Sequence, residues 1–539
     1  MSTAAAAFNS IPEQRTTVDL QIHGEIPSWL SGVLYRTGPG TTRIPTTADS
    51  SKFFDVQHWF DGLALHHRFE IFPGGERVSY RSHSGSEDLQ QRIADSGEYP
   101  IISFGQQADP CRSIFRKFFT TFQTMRSLTT DNPTPSGANV SVTLTPNMPG
   151  WDVITSNLPL PATATGVRYL VAKTDANTLQ LLDPITLEPL KVATYQDIDP
   201  RLDGSLSAAH SCIDHVSGDM YNYSCKFGSR FPTYKIFKIS GEDGKVNILA
   251  EIKDAPASYI HSIAMTDRFI ILTVWQAHIK FSGMSILYHK NIAEAIDKKW
   301  NPKAFTKFYV VDRKNGGVVA KYKTPPFFCF HHLNAYDDPT TGDIVVDMSV
   351  YDDNSVVDLL TLAKLKNLNA ENPMLLGRAR RFRLLSPSTY SPSKPSDTRD
   401  AVVDCTYPQD QSIELPVISP ALYHKPYRYA YGINKLDPKT HHTFADGIIK
   451  LDMSSPPSES SPTGTKIWRK PNHTPSEPIF VPRPNANDED DGVLLSVVLD
   501  EKTMRSSMFV IDAKEMEEVG RAEMAGVFPI GFHGVFQNS

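Results

Sequence analysis

Short apolar runs rich in β-branched and aromatic residues recur along the chain, and polar turn residues separate them. Runs of this kind are typical of β-strands. The clearest ones cover residues 167–173, 220–226, 269–275, 307–311, 344–350 and 492–499. Because no regular alternation with helical patterns accompanies them, the sequence predicts an all-β fold that closes on itself, as a propeller or a barrel.

Several of the turns between these runs begin with aspartate and end with glycine. Residues 214–218, 312–316 and 338–342 follow this pattern. The aspartate side chain can accept hydrogen bonds from the backbone of the turn, and glycine permits the positive φ that a tight turn needs. The pattern therefore predicts hairpins.

Two stretches rich in proline and serine, at about 386–397 and 454–476, interrupt the strand pattern and are predicted to be surface insertions. Strand-like sequence continues on both sides of each stretch. We therefore interpret residues 1–539 as a single domain with a short N-terminal tail of about 15 residues.

Composition and charge narrow the classes of function. Lys plus Arg number 54 and Asp plus Glu 60, so the net charge of −6 gives no basic field for nucleic acid, which is not expected as a partner. No apolar run is long enough to cross a membrane, and the first residues do not resemble a secretory signal, so a cytoplasmic location is expected. The five cysteines form no CxxC pair, which favours free thiols over a zinc–thiolate site.

Four of the 17 histidines lie among small or apolar residues, namely His210, His261, His331 and His533. A neutral imidazole is a good ligand for iron, copper, nickel or zinc. Four such residues on separate strands could converge on the axis of a closed β structure. The residues alone leave open the alternative that these are scattered core histidines.

Blocks around these histidines make the sequence recognisable. Six blocks occur in a fixed order along the chain: the segment 24–40, His58-Trp59-Phe60-Asp61-Gly62, Ala209-His210, Ile260-His261, the stretch 330–336 and the terminal Gly531-Phe532-His533-Gly534. Together they resemble the carotenoid cleavage oxygenase family over nearly the whole chain.

The resemblance implies a seven-bladed β-propeller with a dome of helices and loops over the metal face. One ferrous iron, Fe(2+), is expected on the axis, bound by His210, His261, His331 and His533. In the third block the first histidine should be the ligand, so His332 is expected to pack beside the metal.

Three carboxylates are implied to accept hydrogen bonds from the metal-binding imidazoles, at Asp175, Glu414 and Glu477. Such partners fix the tautomer of a metal-binding histidine and aim its ring. Asp175 stands where the family usually has Glu. We therefore expect a backbone shift or a bridging water to make up for the shorter side chain.

The implied function is an iron(II)-dependent dioxygenase that uses O₂ to cleave a conjugated C=C bond of a carotenoid or apocarotenoid to aldehydes. No side-chain nucleophile or general base is required. Three alternatives stay open: cleavage of stilbene-type phenylpropanoids, retinoid isomerohydrolase activity, and non-catalytic carotenoid binding. Stilbene-cleaving relatives carry Lys immediately before the first outer carboxylate, where this chain has Thr174.

One helical pattern suggests peripheral membrane contact. Aromatic side chains with cations nearby would share one face of a helix at Phe115, Phe118, Phe119 and Phe122. The segment looks like the one by which relatives touch membranes. A helix packed on the propeller is the alternative, and acylation of Cys111 stays open.

Overall fold

The computed structural model describes residues 3–106, 134–155, 163–228, 231–283, 285–286, 291–387, 397–437, 442–454 and 464–539. The predicted aromatic contact residues Phe115, Phe118, Phe119 and Phe122 lie outside the described residues, as does Cys111.

Strands dominate the described residues. In the N-terminal third they are β1 (Val18–Asp19), β2 (Gln21–Gly24), β3 (Gly32–Thr41), β4 (Arg43–Pro45), β5 (Phe53–Asp55), β6 (Leu63–Ile71), β7 (Val78–Ser84), β8 (Thr143–Pro146), β9 (Leu170–Lys173), β10 (Leu179–Leu182) and β11 (Pro189–Ala193). The middle third contains β12 (Cys212–Ile213), β13 (Met220–Lys226), β14 (Thr233–Ile239), β15 (Val246–Ile252), β16 (Ala264–Met265), β17 (Phe269–Val274), β18 (Thr306–Asp312), β19 (Val318–Thr324), β20 (Phe328–Asp337) and β21 (Ile344–Tyr351). The C-terminal third contains β22 (Arg378–Leu384), β23 (Arg399–Asp400), β24 (Val402–Thr406), β25 (Glu414–Val417), β26 (Tyr429–Asn434), β27 (Gly447–Asp452), β28 (Lys466–Trp468), β29 (His473–Pro475), β30 (Ile479–Pro482), β31 (Gly492–Asp500), β32 (Arg505–Asp512), β33 (Glu517–Glu523) and β34 (His533–Asn538).

The helices among the described residues are short. The α-helices are α1 (Glu87–Ser96), α2 (Asp152–Thr155), α3 (Tyr195–Ile198), α4 (Ile292–Ala295), α5 (Val356–Leu359) and α6 (Leu362–Leu365). Single 3₁₀ turns are formed by Thr3–Phe8, Trp59–Asp61, Lys280–Gly283, Gln409–Gln411 and Pro420–Leu422. Within the described part of the chain, no helix is both long and apolar enough to cross a membrane.

Seven sheets of four to six strands follow one another along the chain as the blades of a propeller. In the order of their innermost strands they are β8–β11, β12–β15, β16–β19 with β23, β20–β22 with β24, β25–β28, β29–β33 with β2, and β34 with β3, β6, β7 and β1. The all-β, seven-bladed architecture that the resemblance implies is confirmed.

The ring is closed by strands from opposite ends of the chain. β34 pairs with β3, so that His533 lies opposite Thr37, and β2 pairs with β33, so that Gly24 lies opposite Gly520. Two blades therefore each contain strands from both ends. Closure leaves only short sheet edges exposed, which is the advantage of radial β folds.

The predicted hairpin turns are confirmed at all three positions. Asp312 Oδ1 accepts hydrogen bonds from the backbone N–H groups of Lys314 and Asn315 at 2.8 and 2.7 Å, and Gly316 has φ of 74°. Equivalent bonds begin the turns after Asp214 and Asp338.

The two proline- and serine-rich stretches are described in part. Residues 388–396 and 455–463 lie outside the described residues. The second stretch also holds two strands, β28 and β29, since Ile467 and Trp468 supply apolar side chains for blade packing.

Loops on one face of the propeller are joined to each other above the axis. The backbone N–H of Trp59 donates to Leu360 O at 3.1 Å, and that of Leu362 donates to Gln57 O at 2.8 Å. A second link joins Ile292 N to Ser103 O at 3.2 Å. These loops form the dome, and a cavity lined in part by His261, His331 and His533 remains beneath it.

Candidate metal centre

The four candidate histidines lie at or near the axial starts of four innermost strands. His210 precedes β12, His261 precedes β16, His331 lies within β20, and His533 is the first residue of β34. The backbone N–H of His210 donates to His261 O at 3.2 Å, which ties two neighbouring blades together at the axis. The propeller thus brings together four residues that are far apart in the sequence.

Ring nitrogens of the four histidines converge on one point. One nitrogen from each lies within 4.8 Å of the others, and Nε2 of His210 is 3.0 Å from Nε2 of His533. His261, His331 and His533 are buried, while His210 is partly exposed.

The three candidate carboxylates each bind the outer nitrogen of one of these rings. Nδ1 of His261 is 2.8 Å from Asp175 Oδ1, Nδ1 of His331 is 2.6 Å from Glu414 Oε2, and Nδ1 of His533 is 2.7 Å from Glu477 Oε1. A carboxylate accepts a hydrogen bond from Nδ1–H, so the lone pair of the neutral ring is left on Nε2. The arrangement therefore fixes three Nε2 lone pairs toward the axis.

Asp175 reaches His261 directly despite its short side chain. Its Oδ1 and Oδ2 lie 2.8 and 3.0 Å from Nδ1, so the bridging water allowed for above is not needed. The hydroxyl of Tyr259 donates to Asp175 Oδ2 at 2.8 Å and lies 3.0 Å from the same imidazole nitrogen. Sequence reasoning missed Tyr259, although it stands only two residues before His261.

Glu414 accepts more hydrogen bonds than its counterpart Glu477. Tyr351 and Ser349 donate their hydroxyls to Oε1 at 2.9 and 3.1 Å, and the backbone N–H of Leu415 donates to Oε2 at 2.9 Å. Burial alone would raise the pKa of Glu414. The adjacent His331 and these donors outweigh burial and lower the pKa below its ordinary value.

Glu477 has a buried arginine as its neighbour. Arg36 is fully buried, its Nη1 donates to Glu477 O at 2.9 Å, and it lies 3.7 Å from the carboxylate. The backbone N–H of Gly534 donates to Glu477 Oε2 at 2.8 Å. Burial raises the pKa of Glu477, and the positive charge of Arg36 and the Gly534 N–H oppose that shift by favouring the carboxylate.

His332 points away from the convergent nitrogens, since consecutive residues of a strand face opposite sides. Its Nδ1 is 2.8 Å from Ser262 Oγ, and its Nε2 is 3.4 Å from Thr273 Oγ1. The structure therefore groups His331, and not His332, with the other three histidines.

The donor set fits a transition-metal cation. Nε2 of His331 is buried and has no hydrogen-bond partner, which is costly unless something binds it. Burial, reinforced by the neighbouring imidazoles, holds the pKa of both His210 and His533 well below the ordinary value. These rings stay neutral at physiological pH, as metal binding requires.

An apolar cavity opens beside the convergent nitrogens. His261, His331 and His533 form part of its lining. Most of the remaining lining is aromatic or aliphatic and includes Trp59, Phe330, Leu360, Phe444 and Phe532. The cavity suits a hydrocarbon-like molecule.

A β-propeller with four axial histidines, three supporting carboxylates and an apolar cavity is compatible with a metal site beside a pocket for an apolar molecule. Comparison with known proteins identifies the family. The family model described as retinal pigment epithelial membrane protein matches residues 8–538. The chain belongs to this family, that of the carotenoid cleavage oxygenases, as the sequence blocks predict.

Similar curated proteins include the carotenoid dioxygenase of Neurospora crassa, which is 33% identical over 98% of this chain and 90% of its own. The torulene dioxygenase of Gibberella fujikuroi is 33% identical over 98% of this chain and 92% of its own. Among known structures, a variant of Synechocystis apocarotenoid oxygenase superposes with a TM-score of 0.73 at 20% identity, covering 100% of this chain and 98% of its own. That structure supports the fold.

Proposed function

We propose that this protein is an iron(II)-dependent dioxygenase that uses O₂ to cleave a conjugated C=C bond of a carotenoid or apocarotenoid into two carbonyl products. The observation that carries the proposal is the convergence of four imidazole nitrogens at the wall of an apolar cavity. The relatives described above are named a carotenoid dioxygenase and a torulene dioxygenase, which supports a carotenoid substrate for this chain.

His210, His261, His331 and His533 would hold the metal. Four neutral ligands leave the full charge of the cation uncompensated and keep positions open for other molecules. Iron would supply the redox chemistry that activates O₂. Asp175, Glu414 and Glu477 orient three of the rings through the Nδ1 contacts described above.

The protein would position the substrate and exclude water from it. Phe330 and Phe532 each directly precede a metal-binding histidine and line the cavity, so the polyene would lie against the rings next to the metal. The apolar lining excludes water from the reacting double bond. No lining residue is needed as a nucleophile or a general base.

The proposal is tested by incubating iron-loaded protein with a panel of carotenoids, apocarotenoids and stilbenes, followed by product mass analysis. Cleavage of a carotenoid to aldehydes that both carry oxygen from isotopically labelled O₂ is expected. The zinc-loaded protein is the matched control and should be inactive, because zinc cannot change oxidation state. Cleavage of stilbenes alone, label-free isomerised retinoid, or binding without turnover would each contradict the proposal and favour one of the alternatives.

We also propose that the protein takes its lipid-dissolved substrate from a membrane surface. Phe281 is 81% exposed and Phe231 is 48% exposed, and the ring of Phe227, four residues before Phe231, packs on Gly283, two residues after Phe281. Exposed aromatic side chains on neighbouring loops suit an interaction surface. The sequence-derived contacts Phe115, Phe118, Phe119 and Phe122 stay a prediction.

Sedimentation with phospholipid vesicles tests the membrane proposal. Phe231→Ser/Phe281→Ser should bind several-fold more weakly than the wild type, with unchanged turnover of detergent-dispersed substrate. Phe305→Ser is the matched control, because Phe305 is 47% exposed on a separate loop. Equal vesicle binding by all three proteins would contradict the proposal.

A further inference from the structure

The N-terminal 3₁₀ turn, Thr3–Phe8, is packed into the molecule. Ala7 and Phe8 are 1% and 2% exposed, whereas chain termini generally fray unless they are tied down. Here Ile530 N donates to Ala7 O at 3.2 Å, and Thr42 Oγ1 donates to Phe8 O at 3.2 Å. This end of the chain is held in one place on the propeller.

The following residues continue the attachment. Ser10 Oγ accepts hydrogen bonds from the backbone N–H groups of Thr42 and Arg43, both at 2.9 Å. The backbone N–H of Ile11 donates to Gly40 O at 2.9 Å. All of these partners lie at or just beyond the end of β3, so the segment is anchored to the same blade that carries His533.

Phe8 lies directly behind two residues of the cavity wall. Its ring centroid is 5.9 Å from that of Trp59 and 5.7 Å from that of Phe444, both edge to face, and the latter two rings are 5.2 Å apart. Trp59 and Phe444 line the cavity. The three rings form one mutually packed cluster with Phe8 on its outer side.

The same cluster reaches the metal centre. Trp59 packs against Phe532 at a centroid distance of 4.7 Å, and Phe532 directly precedes His533. A wall built from interlocking aromatic rings is rigid, because close-packed side chains cannot move without displacing their neighbours. The position of Trp59 therefore depends on what fills the space behind it.

From this packing we propose that Phe8 is a positioning residue for substrate selection. It holds Trp59 and Phe444 in place as a wall of the cavity, and so sets how far a long polyene extends past the metal centre and which double bond is cut. The inference rests on the proposed function, since it concerns how the cavity selects a polyene substrate by its length.

Removal of the Phe8 ring should loosen the wall. A large-to-small change leaves a void into which neighbours collapse only in part. Trp59 and Phe444 could then retreat, and the cavity would accept a longer chain on that side. No contact between Phe8 and the substrate is required.

The test compares wild type with Phe8→Ala on two readouts. The first is the ratio of kcat/KM for a long and a short polyene, together with the masses of the products. A shift of about tenfold toward the longer substrate, or a displaced cleavage position, is expected, a size typical of pocket discrimination by small apolar groups. The second readout is equilibrium binding of a series of polyene aldehydes under argon, followed by tryptophan quenching, in which the chain-length limit should rise.

Phe237→Leu is the matched control, since Phe237 is fully buried in a separate core cluster and packs on Tyr195. It should lower stability without changing either readout. Phe8→Leu replaces Phe8→Ala if the latter fails to fold. Wild-type substrate ratio, products and chain-length limit in a folded Phe8 variant would overturn the inference. If the wild type cleaves no polyene, the proposed function fails, and the binding series still decides the role of Phe8.

Discussion

Asp175 is where this chain departs from the usual carboxylate of its family, and its contact with Tyr259 makes the departure testable. The change Asp175→Glu would restore the family residue by adding one methylene. Asp175 already lies 2.8 Å from both His261 Nδ1 and the Tyr259 hydroxyl, and both Asp175 and Tyr259 are buried. We therefore expect the longer side chain to be too long for the site.

The size of the effect follows from the geometry. One added carbon–carbon bond advances the carboxylate by about 1.5 Å, which is incompatible with two contacts of 2.8 Å unless the ring or the hydroxyl moves. Misplacing the outer partner of a metal-binding histidine costs ~10 to 100-fold in metal affinity. This corresponds to about 1.4 to 2.7 kcal/mol.

Tyr259→Phe removes the hydroxyl that occupies the space, so Asp175→Glu/Tyr259→Phe should regain about tenfold in affinity over Asp175→Glu, a coupling of about 1.4 kcal/mol. Asp175→Ala, which leaves no carboxylate, should bind metal more weakly than either. The measurement is competition for cobalt(II) with a chelator, followed by the visible spectrum of the bound ion.

Tyr223 provides the matched control. It is equally buried, and its hydroxyl donates to the backbone oxygen of Ile260 at 2.8 Å instead of to Asp175. Asp175→Glu/Tyr223→Phe should therefore show no recovery. The reasoning is refuted if Asp175→Glu alone binds cobalt like the wild type, or if both tyrosine changes rescue it equally.

Other predictions concern the remaining contacts of the centre. His331→Ala should lose bound iron, measured by elemental analysis, while His332→Ala should keep it, and full iron content in His331→Ala would contradict the ligand assignment. Glu414→Gln should lower metal affinity by ~10 to 100-fold, with wild-type affinity as the contradicting result. Arg36→Met leaves the Glu477 carboxylate buried without its cation and should lower the free energy of unfolding by ~3 to 5 kcal/mol in urea titration, whereas Arg36→Met/Glu477→Gln should lose less.

The strand pattern was predictable because blade cores are apolar on both faces. β13 covers Met220–Lys226, the range predicted from sequence, and β21 and β31 each extend one residue beyond the prediction. By contrast, the predicted run 167–173 begins three residues before β9, since Val167 and Tyr169 are buried without joining the ladder. Burial and strand pairing produce the same sequence signal, so strand ends are the least predictable feature.

The residues of the candidate site also fall into a predictable group and an unpredictable group. Each histidine belongs to a sequence block that resembles the family, and the carboxylates could be carried over from the same resemblance. Tyr259 contacts Asp175, which is 84 positions away on another blade, Arg36 contacts Glu477, which is 441 positions away, and Phe8 packs on Trp59, which is 51 positions away. No local pattern distinguishes a buried tyrosine that only fills a blade core from one that also supports a metal-binding ring.

Ring closure places these supporting residues near the centre. β3 carries Arg36 and is paired with β34, which begins with His533, so the N-terminal and C-terminal segments meet beside this histidine. The same closure brings Phe8 behind Trp59, which in turn packs on Phe532. A change near the N-terminus, far from any ligand in sequence, should therefore alter substrate selection more than a change of equal volume in a blade core, which is the contrast between Phe8→Leu and Phe237→Leu.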